Sequence, residues 1–227
     1  MMEKSKIILL TVIALSCAII LGCNKEHFID TISDEKVEQF DLLFEKWKTN
    51  IETQQNKTFD VSKLPEYKQL AYLGEEIVPL IIVKLINDEN YFAMQLYDEL
   101  QKTDSLKSHN FSASNQIQVK SLISTYMNTL LKKTHIKKED LNSLGITSPV
   151  IIEKQRECIK VGFIPYAREF FLALNTQNAY VYHYLMKEAM KSEFLIKVYL
   201  HEGTNDVAFV ENATEDEINQ FRKSQIN

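Results

Sequence analysis

Glycine, proline and cysteine are scarce in this chain, at five, four and three of 227 residues. So little glycine and proline rules out a collagen-like or low-complexity chain, and with 45% hydrophobic residues the sequence reads as folded. Three cysteines are too few for the disulfide-dense scaffold of a small secreted domain. An excess of positive charge is also missing. The formal net charge is −5, which excludes the concentrated basic face that a nucleic-acid partner or charge-driven adhesion to anionic headgroups demands. No CxxC, phosphate-cradling glycine loop or nucleophile elbow occurs. The five histidines, His27, His109, His135, His183 and His201, lack the one-turn spacing of a zinc site. His135 and Glu139 lie four apart, but their lysine-rich surroundings make a poor cation site. The residues thus point to no cofactor, no metal and no local catalytic motif.

What is present begins at the N-terminus. Lys4 and Lys6 precede an apolar run over residues 7–21, too short to cross a roughly 30 Å hydrocarbon core comfortably, and Ile20-Leu21-Gly22-Cys23 closes it. A basic start, an apolar stretch and small residues before a cut describe an export signal. The four closing residues resemble the lipobox of bacterial lipoproteins. The resemblance implies that the Cys23 thiol receives a diacylglycerol, that a dedicated signal peptidase cuts before it, and that the new amino terminus is acylated. A signal cleaved elsewhere, for example after Ser16, or an uncleaved anchor are the weaker alternatives. Ala14-Leu15-Ser16 is a poorer box, and an anchor would need more length. Two or three acyl chains hold a protein on a membrane almost permanently, so the resemblance implies a membrane partner through a lipid anchor and a place in the cell envelope.

On this reading residues 1–22 are a cleaved signal peptide, 23–32 a tether and 33–227 the folded domain, with an internal boundary candidate at 103–115. Loss of Glu3, Lys4 and Lys6 takes the net charge to −6. Cys23 is consumed by lipid and Cys17 leaves with the signal, so Cys158 is left without an internal disulfide partner. Asn24-Lys25-Glu26 partly resembles the signal of surface-exported lipoproteins of some Bacteroidetes, although His27 stands where a second acidic residue is usual. Asp30-Thr31-Ile32 and Asp104-Ser105-Leu106 look like that phylum's O-glycosylation pattern. Outer-membrane attachment with surface exposure is the localisation this implies for a Gram-negative cell.

Helical periodicity dominates the domain and gives a mainly α fold class, a multi-helix bundle or short α-solenoid-like stack. Val37, Phe40, Phe44, Trp47 and Ile51 follow three- and four-residue steps behind a Ser33 cap. Further helices are expected over 64–74, 75–86, 90–100 and 116–133, the second nearly apolar all round except Lys84. Tyr67-Lys68-Gln69-Leu70 with Gly74, and Val78-Pro79-Leu80-Ile81, make residues 64–101 similar to a HEAT-like helical pair, a protein-binding unit. Lys132, Lys133, Lys137 and Lys138 read as a solvated helix end. Ser148-Pro149 reads as a cap starting a helix to Val161 that carries Cys158 as a small buried hydrophobe beside Ile151 and Ile152. Helices over 166–174 and 178–191 follow.

The tail changes period. Residues 194–200 and 206–210 are β-branched and aromatic around Glu202-Gly203-Thr204-Asn205, which favours a small β-hairpin. Thr214 with Glu217 is a capping box for a last helix over 215–224.

One aromatic run stands out, Tyr180-Val181-Tyr182-His183-Tyr184. On a helix at least one of its tyrosines should be near solvent, which makes Tyr180, Tyr182, His183 and Tyr184 an interaction-surface candidate. Tyrosines at the rim of a core read equally well. Two functions of different class follow: a binding or accessory domain facing an envelope protein or other envelope component, and a lipid-tethered envelope hydrolase with a site assembled from distant residues. The missing catalytic motif favours the first.

Overall fold

The computed structural model describes residues 32–53, 60–108 and 116–224. The leader, Cys23 and all but the last residue of the tether lie outside the described residues, as do residues 109–115 of the boundary candidate.

The first half is helical, as its periodicity indicates. In α1 (Asp34–Thr53) the Lys36 amide donates to Ser33 Oγ at 3.2 Å, and Phe40, Phe44 and Trp47 are buried along one face. Pro65 opens α2 (Pro65–Tyr72), and Gly74 at φ +80° reverses the chain after it. A 3₁₀ turn at Glu75–Ile77 leads into α3 (Val78–Lys84), whose seven residues are all buried. A second 3₁₀ turn at Asp88–Ala93 leads into α4 (Met94–Leu100), and α5 (Gln116–Lys133) completes this half.

The second half corrects the expected fold class. Residues 142–173 form three strands, β1 (Asn142–Lys154), β2 (Cys158–Ile164) and β3 (Glu169–Ala173), in place of the two helices expected over 148–161 and 166–174. They are followed by α6 (Ala179–Ser192), β4 (Ile196–Leu200), β5 (Val207–Asn212) and α7 (Glu215–Ser224). The five strands make one antiparallel sheet in the order β3-β2-β1-β4-β5. The protein is therefore mixed α/β and neither a helical bundle nor a solenoid; the HEAT-like segment is a set of short helices within it. The reason is visible in β2, where Ile159, Val161 and Phe163 are buried while Cys158, Lys160 and Gly162 between them are half-exposed. That is a period of two. Ser148-Pro149 marks a β-bulge in β1, where the register shifts between Pro149 and Ile151 and a proline costs the ladder no donor.

β1 organises the sheet. Its first half pairs with β4 and its second with β2, and a further bulge at Gly145, held at φ +82°, helps bend it between the two. The sheet curls far enough that the Phe171 amide on β3 donates to the Asn205 carbonyl in the β4–β5 turn at 3.1 Å. The expected hairpin and the Thr214–Glu217 capping box are both present.

α6 is the central helix. It packs on β1, β3 and β5 and also against α3. Val181, Leu185, Met186 and Ala189 are fully buried, and each Val, Leu or Met so placed is worth about 1.5–3 kcal/mol. One contiguous core runs from Phe40 on α1 to Val210 on β5, across both sides of the 103–115 segment. Among the described residues, no helix is long and apolar enough to cross a membrane.

Candidate functional site

The side chains with chemistry converge beside α6. Positions 180, 183, 184, 187 and 190 recur at three- and four-residue steps and form the helix stripe left over once the sheet-facing positions are buried. α1 crosses this stripe with its own, Asp34, Val37, Glu38 and Asp41, and the end of β1 adds Ile152 and Lys154. Together with Ile32 they enclose a groove of about 350 Å³ at the point where the described chain begins.

Most charges in the groove are already matched. Lys154 makes an ion pair with Asp34, which holds the Asp34 carboxyl below its ordinary value. The Tyr184 hydroxyl donates to Asp41. Beneath Asp41 lies Lys84, buried, with its Nζ 3.0 Å from Glu188, 3.2 Å from Asp41 and 3.4 Å from Glu45. Burial alone would lower the Lys84 pKa, but the three carboxylates outweigh it and hold the ammonium above the usual lysine value. The Phe44 and Tyr184 rings flank the same nitrogen at 5.4 and 5.7 Å.

His183 is different. Burial, with Lys187 and Lys154 nearby, pushes its pKa down to about 4, so the imidazole is neutral at pH 7. Among the described residues it makes no hydrogen bond, and Glu38 and Lys187 make no ion pair with each other or with any other residue. The half-buried imidazole thus lines the cavity, with Glu38 and Lys187 exposed at its rim and Asp34 close enough to Lys187 and His183 to feel both.

The four residues of the aromatic run divide. Tyr180 and His183 are half-buried and line the groove, and buried Tyr184 reaches it beside them, its hydroxyl bound to Asp41. Tyr182 is no surface residue. It points into the core, its ring 5.7 Å from that of Phe209, because a residue two positions away on a helix faces the opposite side. Cys158 also departs from expectation. It sits half-buried on β2, not on a buried helical face, with Gln155 Oε1 3.5 Å from its sulfur. In the lysine cluster, Lys132 and Lys133 are exposed, but Lys138 lies 4.7 Å over the Tyr199 ring and 2.6 Å from Glu211. Lys197 joins the same carboxylate at 2.7 Å and also reaches Glu217, closing a network that ties α7 to the sheet.

Sequence reasoning missed Lys84, Asp41, Glu188, Glu38 and Lys187 as members of one site. A signal existed for the first, since Lys84 is the single charge in an otherwise apolar helix. A larger groove of about 480 Å³ lies on the other side of Tyr180, near Tyr126 and Asn178. Its polar groups are used within the protein: Lys102 pairs with Glu75 at 2.8 Å, Glu76 pairs with Lys36, and the Asn178 amide donates to the Leu130 carbonyl at 3.3 Å. The α6 groove is therefore the candidate site. Among the described residues, no three His, Cys, Asp or Glu side chains cluster as a metal site would need.

No protein-family model matches the chain, and no curated protein matches it. Among solved structures, two chains of pro-protein-glutaminase, one of them a mutant, align at 26% and 25% identity. The aligned part covers 37% of this chain and only 30% and 29% of those chains, with TM-scores of 0.34 and 0.33. A likeness that partial carries neither fold nor function across.

Proposed function

We propose that this chain is a lipid-anchored protein of the bacterial cell envelope whose mixed α/β domain binds a small ligand in the α6 groove. The lipobox resemblance at Cys23 supports the anchor. The observation that carries the binding role is a cavity of about 350 Å³ lined by half-buried His183, which makes no hydrogen bond among the described residues, with Lys187 and Glu38 at its rim. Such a volume falls at the lower end of the roughly 300–1,000 Å³ usual for small-molecule sites. A half-buried imidazole with no protein partner can take a hydrogen bond from or give one to a ligand that enters the groove.

The anchor and the groove fit together geometrically. Ile32 forms part of the groove wall, and the nine residue steps from Cys23 to Ile32 span at most about 30 Å when extended. The groove would thus work close to the membrane surface.

The test uses the chain lacking residues 1–23, which keeps the entire core. Immobilised parent and a Lys187→Glu variant are exposed to small molecules extracted from the native envelope, and the retained fraction is analysed by mass spectrometry. Components held by the parent and lost by the variant are expected. Identical retention by both would remove the groove as the binding site.

A further inference from the structure

We infer that the larger groove, on the far side of Tyr180, is a second ligand site, built for an uncharged molecule that brings a carbonyl oxygen on an apolar body to the Tyr126 hydroxyl. This site is separate from the α6 groove and does not depend on it.

The charges of the larger groove and its Asn178 amide are matched within the protein, which leaves Tyr126. Tyr126 belongs to the buried stripe of α5, with Ile123 and Leu130, and keeps only 8% of its surface. Its ring stands edge-on to that of Tyr97 at 6.5 Å. Tyr97 is itself fixed, donating to the Leu106 carbonyl at 2.7 Å and accepting from Gln101 Nε2 at 3.2 Å. The Tyr126 hydroxyl has no such partner, since among the described residues it makes no hydrogen bond. Nor is it sealed in the core like the hydroxyl of Tyr182, so the uncovered part of the side chain reaches the groove of about 480 Å³. A phenylalanine would complete the stripe without leaving a polar atom unmatched, and an unmatched hydroxyl is costly to keep.

The lining sets what the missing partner must be. Burial pushes the Tyr126 pKa well above the ordinary 10, so the phenol keeps its proton and can donate it to a ligand. α6 begins at this groove with no side-chain cap at Asn178, and its positive end favours an electron-rich atom. Both features call for an acceptor. Glu75 and Glu76 each already hold a lysine, so neither is left to draw a cation. A carboxylate would give up more hydration than one hydroxyl can return. Val78, Leu100, Leu106 and Leu130, all otherwise buried, supply an apolar wall. An uncharged carbonyl compound fits all of these, and the volume lies within the range of small-molecule sites.

Nuclear magnetic resonance of ring-labelled tyrosine tests this in the chain lacking residues 1–23. The Tyr126 signal is identified by its loss in Tyr126→Phe, and acetophenone, benzoate and benzylamine are titrated in turn. A saturable Tyr126 shift with acetophenone is expected, with affinity about tenfold weaker for the two charged probes. Tyr126→Phe should weaken acetophenone binding about tenfold, read on the Leu130 methyl signals, yet melt no lower than the parent, because it loses no hydrogen bond within the protein. Lys187→Glu, which alters only the α6 groove, should bind acetophenone as the parent does. Equal acetophenone affinity in parent and Tyr126→Phe, equal or tighter binding of either charged probe, or no saturable shift up to about 10 mM acetophenone would overturn the assignment. So would loss of binding in Lys187→Glu, which would move the ligand to the α6 groove, or a lower melting temperature for Tyr126→Phe, which would show the hydroxyl bonded within the protein.

Discussion

Lys84 Nζ lies 3.0 Å from Glu188 Oε2, joining α3 to α6 through two side chains that are both buried. Asp41 and Glu45 complete the set from α1, so one ammonium holds three helices around the floor of the groove. Breaking such a pair strands a charge in a poorly solvated place. Lys84→Met should therefore destabilise the domain by about 3–5 kcal/mol, and adding Glu188→Leu should restore much of the loss. Urea unfolding of both variants, followed by Trp47 fluorescence, measures this. A single Lys84→Met variant as stable as the parent would contradict it.

His183 should make the domain acid-sensitive in a defined window. Its folded pKa of about 4 is below the ordinary 6.5, so the folded state favours the neutral ring and protonation favours unfolding. The contribution is intact above pH 6.5 and is lost as pH falls from there toward 4. Depressed carboxylates such as Asp34 and Glu211 lose theirs at lower pH, below their ordinary values of 3.8 and 4.5. His183→Gln should consequently flatten the stability curve between about pH 6.5 and 4 while leaving the steeper acid limb in place. Parallel curves for parent and variant across that window would show that the ring does not sense burial.

Trp47 should carry a large share of the helical half's stability. Its ring is fully buried, with the Phe92, Tyr67 and Phe44 rings 4.7, 5.5 and 6.1 Å away, and its indole N–H donates to the Val61 carbonyl at 3.3 Å. Trp47→Ala is expected to cost about 3–5 kcal/mol in denaturant titrations monitored by circular dichroism. A cost below about 1 kcal/mol would mean that the neighbouring rings close the gap without penalty.

The bend of β1 should depend on glycine at one position. A Cβ at Gly145 would meet nothing within 4 Å, so the cost of Gly145→Ala is confined to the backbone, held at φ +82°. A loss of about 1 kcal/mol is expected from calorimetry of the purified variant. A rise in melting temperature would show instead that the bulge relaxes readily.

The helical half was legible because its burial follows one stripe per helix, and Phe40, Phe44 and Trp47 announce theirs at three- and four-residue steps. The late hairpin was legible for the opposite reason, its alternating β-branched and aromatic residues around Gly203. The strands at 142–173 were missed because Val150-Ile151-Ile152 is short enough to suit either period and Ser148-Pro149 imitates a helix start. The alternation of Ile159, Val161 and Phe163 was the cue that should have decided it. Of the groove, Tyr180 and His183 showed through as a polar-edged aromatic run. The Lys84–Glu188 pair did not, since it joins positions 104 residues apart and exists only after α3 and α6 pack together.

Metabolic labelling with a radioactive fatty acid in a bacterial host tests the proposed lipid anchor at Cys23 most directly. The parent chain should incorporate label and migrate at the mass of a form lacking residues 1–22, and Cys23→Ser should remain an unlabelled precursor. Label of equal strength in Cys23→Ser, or a parent chain that takes up none, would contradict lipid anchoring at Cys23.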